Sequence, residues 1–112
     1  MKILVNDKQK LLGAPAISRT ESKAITSFAR FDDIVKAVDI SVQDVNGPRG
    51  GIDKECRVLV KLKKVNDFAI TVRDGSLSKA ISSAINRAAR SVARQLDRKA
   101  IRDGGKISKY SF

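Results

Sequence analysis

From Leu77 onward, apolar residues recur at Leu77, Ile81, Ile85, Ala88, Val92 and Leu96, spaced four, four, three, four and four apart. That spacing keeps one face apolar and predicts a long amphipathic helix. Ser76 is well suited to cap its start, and the helix is expected to run to about Ile101, before Asp103-Gly104-Gly105 stops it. The middle of the chain alternates instead. Between Ile34 and Val45, Val38, Ile40 and Val42 fall on one face and Asp39, Ser41 and Gln43 on the other, the pattern of a half-buried strand. Asn46-Gly47-Pro48-Arg49-Gly50-Gly51 breaks this strand as a hairpin loop. Cys56, Val58, Val60 and Leu62 then alternate with Glu55, Arg57, Lys61 and Lys63, although Leu59 intrudes on the polar face. A turn at Val65-Asn66-Asp67 leads to a fourth strand, where Phe68, Ile70 and Val72 oppose Thr71 and Arg73. It ends at Asp74-Gly75.

The amino-terminal region is less regular. Lys2-Ile3-Leu4-Val5-Asn6 reads as a short strand, and the polar stretch through Gly13 and Pro15 as a loop. Ser18 with Glu21 three residues on matches a capping box. With Ala24, Ile25, Phe28 and Phe31 at helical spacing, it predicts a first helix from about residue 19 to 31. The order is then β-α-β-β-β-α, an α+β fold: one antiparallel-rich, four-stranded sheet with both helices packed on one face. Ser41, Gln43, Arg57, Lys61 and Arg73 would occupy the other face, open to solvent or to a partner. At 112 residues the chain fits one domain, expected over residues 1–103, with 104–112 as a flexible tail.

Charge changes this picture most. The formal net charge is +11, which favours polyanionic partners. Residues 1–75 carry 14 basic and 10 acidic side chains, whereas residues 76–112 carry 9 and 2, so most of the surplus lies in the last third. On the final helix, at 100° per residue, Arg87, Arg90, Arg94 and Arg98 fall within about 80° of arc, with Arg102 at the border. Packing the apolar stripe on a sheet must turn this ridge outward. Like charges at i and i+4 cost a few tenths of a kcal/mol per pair, and only Asp97 stands near enough to offset them. A guanidinium fork matches two phosphate oxygens, and the ridge contains arginine without lysine. It is therefore the main candidate contact for a polyanion, nucleic acid or an acidic membrane surface, against the plainer reading of a solvated basic face. Lys79 beside it, Arg30 and Lys23 on the first helix, and Arg57, Lys61 and Arg73 on the open sheet face are the further RNA-binding candidates. Aromatic residues make up only 4% of the chain, too few for single-strand stacking platforms, so phosphate contact and shape recognition are expected.

Other chemistries lack residues. There is no histidine and one cysteine, Cys56, on the apolar phase of its strand, which argues for a buried inert thiol and against a metal centre, a disulfide framework or a nucleophile. The carboxylates are scattered; Asp32-Asp33 reads as a junction, and no catalytic constellation, cofactor or small-molecule substrate is indicated. Gly47-Pro48-Arg49-Gly50-Gly51 is not followed by the helix that a phosphate-binding loop requires. No window approaches a membrane span or a signal peptide, so a cytoplasmic protein is expected.

The string from Arg30-Phe31-Asp32-Asp33-Ile34 through Val35-Lys36-Ala37-Val38-Asp39-Ile40-Ser41-Val42, followed by Asp44-Val45-Asn46-Gly47, resembles the ribosome hibernation-promoting factor family, also called ribosome-associated inhibitors. Asp53-Lys54-Glu55-Cys56-Arg57-Val58 and the helix start at Ala80-Ile81, with Arg87, Arg90 and Arg94 at family-like basic positions, extend the resemblance over roughly residues 20–100. Lys8 to Pro15 departs from the family pattern, and Ser82 stands where many members have an acidic residue. The resemblance implies a fold similar to double-stranded-RNA-binding domains. It also implies a seat on the small ribosomal subunit and its ribosomal RNA near the decoding centre, blocking mRNA and tRNA without covalent chemistry. It is to short-form members, so pairing of ribosomes by this chain's own dimerisation is not expected, and the free protein is expected to be monomeric. Two other readings stand beside it: a protein-interaction regulator of an RNA polymerase factor, and a generic structured-RNA binder.

Overall fold

The computed structural model describes residues 1–45 and 54–102, with side chains in the last helix described as far as Leu96. The expected hairpin loop at Asn46–Gly51, the tail at 104–112 and the side chain of Arg98 lie outside the described residues. The elements are β1 (Lys2–Asn6), α1 (Ala14–Phe28), a 3-10 turn (Ala29–Phe31), β2 (Val35–Asp44), β3 (Lys54–Leu62), β4 (Phe68–Asp74) and α2 (Leu77–Arg102). The four strands form one sheet in the order β1-β2-β3-β4. β1 runs parallel to β2, as the helical crossover through α1 requires, while β2-β3 and β3-β4 are antiparallel. The α+β order and the four-stranded sheet agree with the alternation in the sequence.

One side of the sheet holds the core. Val38, Ile40 and Val42 from β2 and Cys56, Val58, Val60 and Leu62 from β3 are buried together with Ala80, Ile81, Ala84, Ile85, Ala88 and Val92 of α2. Phe28, Ile40 and Ile85 are among the largest fully enclosed side chains, each contributing roughly 1.5–3 kcal/mol through removal from water. The alanines of α2 let that helix sit close to β3 and β4, while α1 packs beside it against β1. Ser76 opens α2 as expected: its Oγ accepts from Lys79 N at 3.4 Å, and its own N–H donates to Asp74 Oδ1 at 2.9 Å. Among the described residues, no buried side-chain nitrogen or oxygen lacks a hydrogen-bond partner.

Three local features correct the sequence reading. First, α1 starts at Ala14, not near residue 19, with Gly13 at the N-cap and Pro15 in the first turn. Proline fits there because the first turn's N–H groups have no intrahelical partner. Ser18 therefore lies within the helix, and no capping box forms with Glu21. The preceding loop is fastened by Asp7, whose carboxylate accepts from Leu11 N at 2.8 Å and Leu12 N at 2.7 Å. Second, the buried stripe of α1 is Thr20, Ala24 and Phe28, spaced four apart, which rotates Ile25 out to 52% exposure; Phe31 reaches the core through the 3-10 turn. Third, the β2-β3 register shifts between Val35 and Ala37, so Val35 and Val38 are both buried although three residues apart. An extra residue in one strand reverses which face its neighbours occupy.

Candidate nucleic-acid interface

The helical layer presents its outer surface on α1 and α2. Along the described part of α2, residues 77–96 include Lys79, Arg87, Arg90 and Arg94 and no acidic residue. All four are exposed, on the side away from buried Ala84, Ile85, Ala88 and Val92. No ion pair engages any of the four among the described residues. Arg94 lies beside Phe68, Ala69 and Ile70, so the ridge overhangs the β4 edge. Arg98 belongs to the same helix by its backbone.

Lys23 is half-buried on α1 and lines a groove of about 240 Å³ between the helices, together with Arg19, Thr20, Ser78 and Ser82. Arg19 is a basic residue that the sequence reading missed. Starting α1 at Ala14 puts Arg19 one turn before Lys23 on the side facing α2, so the i, i+4 spacing of two cations was the available signal. Thr20, buried beneath them, satisfies its hydroxyl by donating to Ala16 O at 2.8 Å. Arg30 is exposed on the 3-10 turn, its guanidinium 4.6 Å from the centre of the Phe31 ring, a cation–π contact that restrains the side chain.

The remaining sequence candidates lie on the opposite side of the molecule. Arg57, Lys61 and Arg73 project from the open sheet face, and two of them are already paired. Lys61 Nζ stands 3.6 Å from Asp39 Oδ2, and Arg73 Nε 3.3 Å from Glu55 Oε1. The Glu55 carboxylate also accepts from Gln43, and that hydrogen bond together with the nearby Arg73 and Arg57 charges holds its pKa below the ordinary value of 4.5, against the opposing effect of desolvation. The ten candidates therefore do not converge on one surface. Arg87, Arg90, Arg94, Lys79 and Lys23 share the helical side, and Arg57, Lys61 and Arg73 share the sheet side.

Cys56 is fully enclosed in the core, and burial, followed by the Glu55 charge, pushes its thiol up to about 12. Such a thiol stays protonated and has little nucleophilic character at neutral pH. Among the described residues no cluster of three or more histidine, cysteine, aspartate or glutamate side chains is arranged to hold a metal, and no helix is long and apolar enough to cross a membrane.

No family model and no curated protein matches the sequence. Solved structures do match the fold. A ribosomal subunit interface protein from Coxiella burnetii superposes with a TM-score of 0.67 at 14% identity, over 85% of this chain and 97% of that one. The N-terminal domain of Thermus thermophilus Protein Y superposes with a TM-score of 0.67 at 18% identity, over 84% of this chain and 98% of that one. The chain thus has the β-α-β-β-β-α fold of a ribosomal subunit interface protein and of the Protein Y N-terminal domain, the architecture that the sequence resemblance implies.

Proposed function

We propose that this protein is a ribosome-binding factor of the hibernation-promoting type, which seats its helical side on ribosomal RNA of the small subunit near the decoding centre. It would inhibit translation by occupying the path of mRNA and tRNA. The observation that carries this reading is the outward ridge of Arg87, Arg90 and Arg94, free of acidic neighbours on the described part of α2, on a fold shared with a ribosomal subunit interface protein. Guanidinium groups spaced along a helix suit successive phosphates of an RNA backbone, and the contact needs no base reading.

Lys79 extends the ridge toward the start of α2, and Arg19 and Lys23 carry it across the interhelical groove. Arg30 and Arg98 would add flanking phosphate contacts. Lys61 and Arg73 would contribute less, because an RNA phosphate must compete with Asp39 and Glu55 for them. In this reading the protein acts by occupancy and not by catalysis, works in the cytosol, and is monomeric when free.

Sedimentation of the purified protein with small ribosomal subunits tests the proposal. Co-sedimentation that mRNA and initiator tRNA displace is the expected result. Binding that neither competitor affects would contradict a seat in their path, and equal affinity for duplex DNA would favour a generic polyanion binder instead.

A further inference from the structure

The open face of the sheet is ordered into cross-strand rows. One row contains Asn6, Ser41, Arg57 and Thr71, which are register partners from β1 through β4. Every side chain in it offers a hydrogen-bond donor and none is acidic. With a strand spacing of about 4.8 Å, the row extends for about 14 Å, enough for the phosphate and sugar of one nucleotide to lie along it. Arg57 is exposed and has no ion pair among the described residues; its cross-strand neighbours are the hydroxyls of Ser41 and Thr71. Of the acids on this face, Asp39 pairs with Lys61, and Glu55 is held by Gln43 and Arg73 while its charge also acts on Arg57.

Asn6, Ser41 and Arg57 also line a concavity of about 610 Å³, walled on one side by Lys8 and Gln9 of the loop after β1. That volume falls in the usual range for small-molecule sites, roughly 300–1,000 Å³. The wall is fixed in place: Gln9 Oε1 accepts from Asp44 N at 2.7 Å, and Asp7 holds the backbone of Leu11 and Leu12. Beside the donor row, Gln43 and Glu55 line the same concavity and present acceptors.

We propose that this concavity binds a nucleoside 5′-phosphate, with Arg57 and Lys8 on the phosphate, Ser41 and Asn6 completing its hydrogen bonds, and Gln43 and Glu55 accepting from the sugar hydroxyls. A guanidinium flanked by hydroxyls provides the donor geometry that a terminal phosphate needs. The Lys8-Gln9 wall favours a ligand that ends in the concavity over a polymer that must pass through it. The site lies on the face opposite the arginine ridge and does not depend on ribosome binding.

Amide NMR titration of the whole chain with adenosine 5′-diphosphate, adenosine, inorganic phosphate and a short single-stranded RNA bearing hydroxyl ends provides the test. The diphosphate should give saturable shifts at Asn6, Ser41, Arg57 and Thr71, with adenosine binding about tenfold or more weaker because it lacks the charge-assisted contacts. Arg57→Ala should weaken the diphosphate about tenfold and Arg57→Lys less, because lysine keeps the charge but loses the fork; Arg57 is exposed, so both variants should keep the parent's spectral dispersion. Absence of saturable shifts, equal binding by Arg57→Ala, or shifts in this row with the RNA but not with the diphosphate would each overturn the site. Arg90→Glu should leave diphosphate binding unchanged, so a failure here is separable from failure of ribosome binding.

Discussion

The two sides of the sheet both carry cations, but they dispose them differently. On the helical side, Arg87, Arg90 and Arg94 stand on one helix with no acidic residue among residues 77–96, and no ion pair engages them among the described residues. On the open side, Lys61 faces Asp39 and Arg73 faces Glu55, so cross-strand pairing has neutralised two of the three cations read as RNA contacts. Number of cations therefore does not locate a polyanion site. The location follows from which cations remain unpaired, since a paired one must give up its partner before it can meet a phosphate.

The contrast can be broken most severely within α2, whose two sides have different roles. Ile85→Ala should destabilise the fold by about 2–5 kcal/mol, because the side chain is fully enclosed, and denaturant unfolding would show it. Arg90→Glu with Arg94→Glu should leave the unfolding midpoint nearly unchanged and weaken binding to small subunits by about a hundredfold. A large loss of stability in the double variant would mean that the ridge serves the fold.

On the open side, Lys61→Ala and Arg73→Ala should each change ribosome affinity by less than about twofold, since exposed pairs of this kind are worth only ~0–1 kcal/mol and their cations are already engaged. Losses matching those of Arg90 would erase the distinction between the faces.

The smallest expected effect is in pH. Glu55 is held below 4.5 in the folded chain, so its ionised form favours folding. That contribution is complete above the unfolded value and is lost as pH falls from 4.5 through the lower folded value. Glu55→Gln should therefore be slightly less stable than the parent at neutral pH, with the gap closing in acid, as thermal unfolding across pH would show. A gap that widened in acid would contradict the pairing with Gln43 and Arg73.

Much of this was legible in the sequence because the relevant signals are periodic. The stripe through Ile81, Ile85 and Val92 fixed both the core face of α2 and, by exclusion, the direction of the arginines. Alternation located β2, β3 and β4. The start of α1 was hidden because Gly13 and Pro15 resemble loop residues when read locally, whereas proline is favourable in a first turn. Arg19 was missed with it. Burial of Val35 was equally hidden, since a register shift overrides strict alternation. Neutralisation of Arg73 could not be read at all: it joins residues 18 apart and depends on the β3-β4 register, which no single residue announces.

The salt dependence of binding to purified small ribosomal subunits, measured for the parent chain and for the Arg90→Glu, Arg94→Glu variant, tests the central claim most directly. If Arg87, Arg90 and Arg94 each neutralise a phosphate, log affinity should fall steeply with log salt, and the variant should lose about two units of that slope along with its affinity. An unchanged slope and affinity in the variant would contradict the ridge as the ribosomal RNA contact.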